Sequence, residues 1–468
     1  MTSPASTTKA DGSSSEPELK RVLGPGLLLL FIVGDILGTG IYALTGTVAG
    51  QVGGAVWIPF GCAFLVALLT ACSYLELVTK YPKAAGAALY THKAFGIHFL
   101  TFMVAFTVLS SGITSASTAA RAFATNLAKG FGLSFTDGVG LTLAALGFLV
   151  LVALVNFRGV GESVKTNVVL TLIELSGLVF ILIIGALALG SGDGDWSAVT
   201  KFELPEGTGT FTAVGSATAL AFFALVGFED SVNMAEETHN PAKIFPKMMF
   251  IGLAITGTIY ILVGIIAVAL VPLDELSQGA TPLLQVVEAG ASWFPLWIFA
   301  FVTMFAVSNT ALINMLMASR LVYGLSNEGV VPKFLGKVHP GRRTPWVAII
   351  FTTVLGFGLV TFITGVPALS GTTSLLLLAV FTVVNVSVLV LRRDKVEHKH
   401  FQAPTFIPVL GALVCLYLVS PLVDRDVAQY KTAGILLGIG LVLWVVTAVH
   451  RHSGDSNRGT IDDPSSLA

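Results

Sequence analysis

Twelve apolar runs, each long enough to cross a bilayer, set the terms on which this chain of 468 residues can fold. They lie near 22–47, 52–79, 96–126, 138–156, 164–190, 211–236, 247–272, 289–324, 345–364, 367–391, 404–423 and 431–450. A helical span needs about 20 predominantly apolar residues. In hydrocarbon its backbone groups must also be satisfied within the protein. Composition agrees: 54% of residues are hydrophobic and 11% charged, with mean hydropathy +0.84, whereas a soluble domain carries about 25% charge. The expected fold is an all-α polytopic membrane protein with twelve transmembrane helices, and the lipid bilayer is its first expected partner.

The placement of charge then orients the chain. With the N-terminus inside, 21 of the 26 Lys and Arg residues fall on the cytoplasmic side. The outer side keeps Arg121, Lys129, Lys201, Arg425 and Lys431. This asymmetry follows the positive-inside rule, and a wrong span count would have scrambled it. Both termini are expected in the cytoplasm, in a plasma (inner) membrane. Residues 1–19 read as a disordered tail rich in Ser, Thr, Pro, Ala and Gly, and 453–468 as a second cytoplasmic tail. No cleavable signal is visible, because the first apolar run is too long and begins too late. A net charge of −1 carries no indication of nucleic-acid binding.

Inside the first run, Gly34-Asp35-Ile36-Leu37-Gly38-Thr39-Gly40-Ile41-Tyr42 departs from what a plain anchor would contain. Each glycine weakens a helix by about 1 kcal/mol relative to alanine. An ionised Asp at depth costs roughly 2.5–3.5 kcal/mol on insertion scales. The stretch is therefore expected to break the helix and leave backbone groups free to hold a small polar solute. The sixth run has a matching interruption, Ala221-Phe222-Phe223-Ala224-Leu225-Val226-Gly227-Phe228-Glu229-Asp230. Runs one and six each open a block of five, which is the pattern of an inverted-repeat transporter.

Acids at membrane depth are functional candidates. Glu76 lies one turn before Lys80 and reads as a structural residue at the interface. Glu174 lies about ten residues into its run with no base nearby in sequence. It is either a proton-carrying acid or a neutral carboxyl bonding between helices. Cys62, Cys72 and Cys415 sit in apolar segments and read as small core residues. The eight histidines lie at segment edges, in loops or in tails. No metal site and no cofactor are expected. The loop 191–210, with Asp193, Asp195, Glu203 and Glu206, reads as solvated or as part of an entrance.

The ordered series of motifs resembles the amino acid–polyamine–organocation superfamily over residues 20–450. It comprises Gly38-Thr39-Gly40-Ile41, Phe223-Ala224-Leu225-Val226-Gly227-Phe228, Ala235-Glu236-Glu237, Asn240-Pro241 and Pro246. It continues with Ser319-Arg320 through Tyr323, Asn327-Glu328-Gly329, Pro332 and Thr344-Pro345. The resemblance implies a five-plus-five inverted repeat, residues 20–190 and 211–392 about an outer loop 191–210. Helices one and six would be discontinuous, with two trailing helices over 393–452. It implies a secondary transporter of amino acids or related amines, working without covalent chemistry.

Carried across residue by residue, the substrate carboxylate would meet the amides of Gly38, Thr39 and Gly40. The substrate ammonium would meet the carbonyls of Ile36, Phe223, Ala224 and Val226. Phe222, Phe223 and Phe228 would be gate aromatics or plain packing. Ser110, Ser111, Ser308, Asn309 and Thr310, with Asn314, would be polar cavity residues or interhelical bonds. Two departures stand out: a lysine found in span five of some members is matched by Glu174, and Asp35 replaces a small apolar residue. We therefore expect Asp35 and Glu174 to face one cavity, with one of them taking a coupling proton. Amino acid symport with protons is the first reading. A cationic amine or polyamine permease and an amino acid exchanger are the alternatives. No nucleophile–His pair, nucleotide loop or filter segment supports an enzyme, receptor or channel.

Overall fold

The computed structural model describes residues 23–82, 86–135, 138–158, 163–235, 237–327, 329–363 and 365–453. The expected tails, 1–19 and from 454 onward, lie outside the described residues, as do Glu236 and Glu328 of the motifs. The helices run in order α1 Pro25–Ile36, α2 Thr39–Val52, α3 Trp57–Lys80, α4 Gly86–Phe95, α5 His98–Gly130, α6 Gly138–Arg158, α7 Ser163–Ser191 and α8 Thr210–Ala221. They continue with α9 Pro241–Leu270, α10 Leu273–Gln278, α11 Pro282–Gly290, α12 Leu296–Asn327, α13 Trp346–Phe362, α14 Val366–Leu391, α15 Phe406–Val419 and α16 Val427–Ser453. Among the described residues there is no strand; one isolated bridge joins Leu23 and Thr238.

Among the described residues, nine helical stretches are long and apolar enough to cross a membrane, and α1 with α2, bent by 40°, makes a tenth. Helices α13 and α15 are apolar but have 17 and 14 residues. At 1.5 Å per residue, α15 reaches only about 21 Å of a hydrocarbon layer some 30 Å thick. It stops at Ser420, whose ψ of 157° is extended, because a residue before proline, here Pro421, is driven out of the helical region. The run expected over 289–324 is divided: α11 closes at Gly290 and α12 begins after Pro295. The short helices α4, α10 and α11 were not expected, since none is long enough to register as a span.

The bundle is tied most extensively through α5 against α12, with α3 on α9 and α6 on α13 as further pairs. Helix α1 packs against α7 and α9. The loop 191–210 is seated rather than free: Trp57 Nε1 donates to the Val199 carbonyl at 3.2 Å. Its one described ion pair, Lys201 with Asp195 at 3.6 Å, is exposed.

One polar anchor closes the end of α3. The Arg392 guanidinium donates to both oxygens of buried Glu76, Nε at 2.8 Å and an Nη at 2.7 Å. The same carboxylate accepts the Ala403 amide at 3.0 Å. Lys80 Nζ donates to the Leu391 carbonyl at 2.6 Å and to that of Asp394, satisfying carbonyls at the α14 C-terminus where a cation is favoured. Glu76 is therefore a structural residue joining α3, α14 and the start of α15. Deeper in, Asn385 bridges helices by accepting from Ser73 Oγ at 2.6 Å and donating to Thr70 Oγ1 at 3.2 Å.

Breaking a buried, bidentate pair by removing one partner costs about 3–5 kcal/mol. Glu76→Gln is thus expected to lower the thermal unfolding midpoint of the detergent-solubilised protein substantially. The double variant Glu76→Leu/Arg392→Leu should lose less than the sum of the two single variants. Additive losses in thermal scans would show that the pair does not act as a unit.

Candidate functional site

Both interruptions expected from the glycines are present as breaks in helical geometry. Helix α1 ends at Ile36, and Leu37 (φ −62°, ψ 128°) and Gly38 (φ 177°, ψ −156°) run extended before α2 starts at Thr39. Helix α8 ends at Ala221, and a single 3₁₀ turn covers Phe222–Leu225. Val226 is then extended (φ −70°, ψ 147°), and a second 3₁₀ turn spans Asp230–Met234.

Two glycines allow the breaks to meet. A Cβ on Gly40 would lie 2.3 Å from the Cα of Ala224, so no side chain fits between α2 and the 3₁₀ turn. Gly227 takes φ 123°, which other residues rarely adopt, and a Cβ there would stand 2.5 Å from the Asp35 carbonyl oxygen. The Gly227 amide is held by Glu229 Oε2 at 2.9 Å. The Ile36 carbonyl accepts the Tyr260 hydroxyl at 2.7 Å. At the start of α2, the Thr39 amide donates to Thr310 Oγ1 of α12 at 3.4 Å. The first amides of a helix have no intrahelical partner and carry about half a positive charge, so this end suits an anion. The freed carbonyls of the second break suit a cation.

A cavity of about 260 Å³ opens beside the paired breaks. Of the expected site residues, Asp35, Ile36, Gly38, Thr39, Gly40, Ser111, Phe223, Val226 and Thr310 line it. Ala224 does not; it is buried against Gly40 instead. Further along the wall stand Glu229, Asp230, Asn233, Asn314 and Tyr74, and the cavity continues to Glu237 and Arg320. Ser308 lies off the wall and turns its hydroxyl to the Met304 carbonyl of its own helix at 2.6 Å. Ser110 and Asn309 are buried and do not line the cavity.

Phe222 and Phe228 take the packing role. Phe222 meets Phe381 edge-on at 5.9 Å, and Phe228 meets Tyr74 at 6.0 Å and Phe381 at 5.4 Å. Of the three expected gate aromatics, Phe223 alone is on the cavity wall.

The expectation that Asp35 and Glu174 share this cavity is met for Asp35 alone. Glu174 is fully buried on α7 and does not line it. Neither of its carboxyl oxygens has a hydrogen-bond partner among the described residues. Its backbone carbonyl accepts the Tyr42 hydroxyl at 3.0 Å. One turn earlier, Thr171 fills the space beside Gly34: a Cβ there would fall 1.8 Å from Thr171 Oγ1. Helix α7 thus backs the first break from behind. Tyr42, Tyr260 and the Glu229–Gly227 bond were missed by sequence reasoning. The available signal was the lone tyrosines, since a hydroxyl inside an apolar span must find an acceptor. No group of three or more His, Cys, Asp or Glu that could hold a metal ion is present among the described residues.

Comparison with known proteins matches this architecture to a family. The amino acid permease profile covers residues 27–448. The chain is 29% identical to a branched-chain amino acid permease of Bacillus subtilis over 94% of this chain and 96% of that protein. It is 27% identical to a methylthioribose transporter of the same bacterium over 94% of each. A vacuolar cationic amino acid transporter of Arabidopsis thaliana is 30% identical over 80% of this chain and 64% of that protein. With nearly its whole length matched, this integral multi-pass membrane protein belongs to the amino acid permease family.

Proposed function

We propose that the chain is a secondary active transporter that carries an amino acid across the plasma membrane by alternating access, coupled to protons. The observation that carries this reading is the contact between the two helix breaks on one small cavity. At about 260 Å³ the cavity lies just below the usual range for ligand sites, roughly 300–1,000 Å³. That size suits a single amino acid. The substrate carboxylate takes the α2 N-terminus at Gly38, Thr39 and Gly40. The ammonium takes the carbonyls of Phe223 and Val226, with those of Ile36 and Ala224 completing the cradle. Phe223 closes over it.

The five-plus-five inverted repeat is supported by helix pairing: α3 with α9, α5 with α12, and α6 with α13 are the pairs that a two-fold relation between the halves would bring together. With both termini cytoplasmic, Glu237 and Arg320 belong to the inner half, so the described state is open inward. Asp35 on the wall and Glu174 behind the first break are the two candidates for the one proton carrier of this reading.

A second reading, a permease for a cationic amine, polyamine or cationic amino acid, is favoured by the cavity wall. Among the described residues, Asp35, Glu229, Asp230 and Glu237 line it against the single base Arg320. The relatives include both a branched-chain amino acid permease and cationic amino acid transporters, beside the methylthioribose transporter. Uptake of labelled leucine, valine, arginine, lysine and putrescine into proteoliposomes, with and without an inward proton gradient, separates the readings. Gradient-driven leucine uptake supports the first, and preference for arginine or putrescine supports the second. No uptake of any of them overturns both.

Two variants test the site. Gly40→Ala puts a methyl into Ala224, and displacement of reacting or binding groups by about 1 Å costs on the order of 100-fold. A loss of that size in transport efficiency is expected, measured as initial uptake rate over substrate concentration. Gly61→Ala, where a methyl meets nothing within 4 Å, should be neutral. Glu174→Gln keeps the shape of the side chain but cannot release a proton. Uptake by this variant is expected to lose its response to the pH gradient, and an unchanged response removes Glu174 from the coupling.

A further inference from the structure

A second pocket, of about 360 Å³, lies where the end of α6, the last third of α12 and the loop entering α13 converge. Four arginines line it, Arg158, Arg320, Arg342 and Arg343, together with Ser319 and Thr344. Among the described residues no carboxylate lines it. Arg320 has Glu237 as a charge partner from the substrate cavity, but Arg158, Arg342 and Arg343 face no carboxylate in this pocket among the described residues and repel each other unless an anion sits among them. The planar guanidinium fork matches phosphate oxygens in particular.

The loop bearing two of these arginines is held in place. Thr344 Oγ1 donates to the Phe157 carbonyl at 3.2 Å, and the Arg342 guanidinium lies 5.0 Å over the Phe157 ring. His339 of the same loop holds it further: its ring stands edge-on to Phe157 at 5.3 Å, and its amide donates to the Thr344 carbonyl at 2.9 Å. Arg343 sits at φ 54°, an unfavoured conformation for a residue with a side chain, which persists only where the surroundings impose it. The wall is thus built before any ligand arrives.

What adjoins the pocket identifies the source of the anion. Ile349 is part of its lining, and beyond it Ile350 and Val354 on α13 are exposed. On the packed neighbour α6, Leu151, Leu154 and Val155 are exposed too. A phosphate cradle continuous with an apolar, outward-facing strip has the layout of a lipid site, headgroup inside and acyl chains along the helices. We propose that this pocket binds the phosphate of an anionic phospholipid, with its acyl chains lying against α6 and α13. Arg320 lines both this pocket and the substrate cavity, so the lipid sits at the mouth of the transport route. The proposal rests on the orientation given above only for the choice of the cytoplasmic leaflet.

The test is retention of phosphatidylglycerol and of phosphatidylcholine by the full-length protein, read by native mass spectrometry during stepwise delipidation. The wild type is expected to retain phosphatidylglycerol selectively. Arg158→Gln/Arg342→Gln/Arg343→Gln should lose it, by roughly fivefold for each arginine removed, with phosphatidylcholine unaffected. Lys333→Gln/Lys337→Gln removes charge from the same loop outside the pocket, and should retain phosphatidylglycerol as the wild type does. Should the triple variant fail to fold, the single variants Arg342→Gln and Arg343→Gln on the exposed loop carry the same expectation, each at about fivefold. Unchanged retention in the arginine variants, or equal loss in the lysine variant, overturns the proposal. Thermal stabilisation of the detergent-solubilised wild type by inorganic phosphate, without lipid selectivity, overturns the lipid assignment.

Discussion

A helix broken inside a bilayer exposes backbone amides and carbonyls where no water competes for them, and each must be satisfied by the protein or by whatever fills the space. The rest of the bundle follows from how this chain meets that requirement twice at one place. The Ile36 carbonyl is taken by Tyr260, the Thr39 amide by Thr310, and the Gly227 amide by Glu229. These three bonds come from α9, α12 and the second break itself, so the site is assembled only when those elements are in register. The contacts at Gly40 and Gly227 then bring the breaks within van der Waals distance.

Such a centre needs a rigid surround, and in lipid that rigidity comes from close packing and interhelical hydrogen bonds rather than from hydrophobic exclusion. The Asn385 bridge and the Glu76–Arg392–Lys80 anchor tie α3 to α14 at two depths. At the other end of α14, Arg425 in the loop before α16 reaches the Leu418 carbonyl at 2.7 Å and the Gly371 carbonyl at 3.1 Å. It is buried, and that burial pulls its guanidinium down to about 10. It joins α15 to α14 at the opposite end from Glu76. The anchors lie away from the breaks, where the irregular backbone is the extended Leu37–Gly38 link and the 3₁₀ turns.

What the sequence discloses here depends on the range of the interaction involved. The breaks at Gly38–Gly40 and Ala224–Gly227 are local, and glycine content with an apolar surround is enough to place them. Glu76 was legible as structural from its spacing to Lys80, but its partner Arg392 lies 316 residues away and no local pattern points to it. The short helices α4, α10 and α11 and the early stop of α15 fall below the length at which apolar runs are informative. The facing of α7 was also hidden. A helix that is apolar on all sides gives no stripe to orient it, so Glu174 could be placed at mid-depth but not behind α1 and off the cavity wall.

Asp35 is where these constraints converge. It occupies the last turn of α1, its carbonyl oxygen lies against Gly227, and its side chain lines the cavity. Glu229 is close by in the fold but committed, because its Oε2 holds the Gly227 amide. Asp35 Oδ2 has no partner among the described residues. A buried carboxyl oxygen without a donor is costly, and it persists where a ligand or a proton completes it during function. On this wall the buried side-chain oxygens still open among the described residues are Asp35 Oδ2 and Thr39 Oγ1, on either side of the first helix break. The close approach of Gly227 to the Asp35 carbonyl ties this position to both breaks at once.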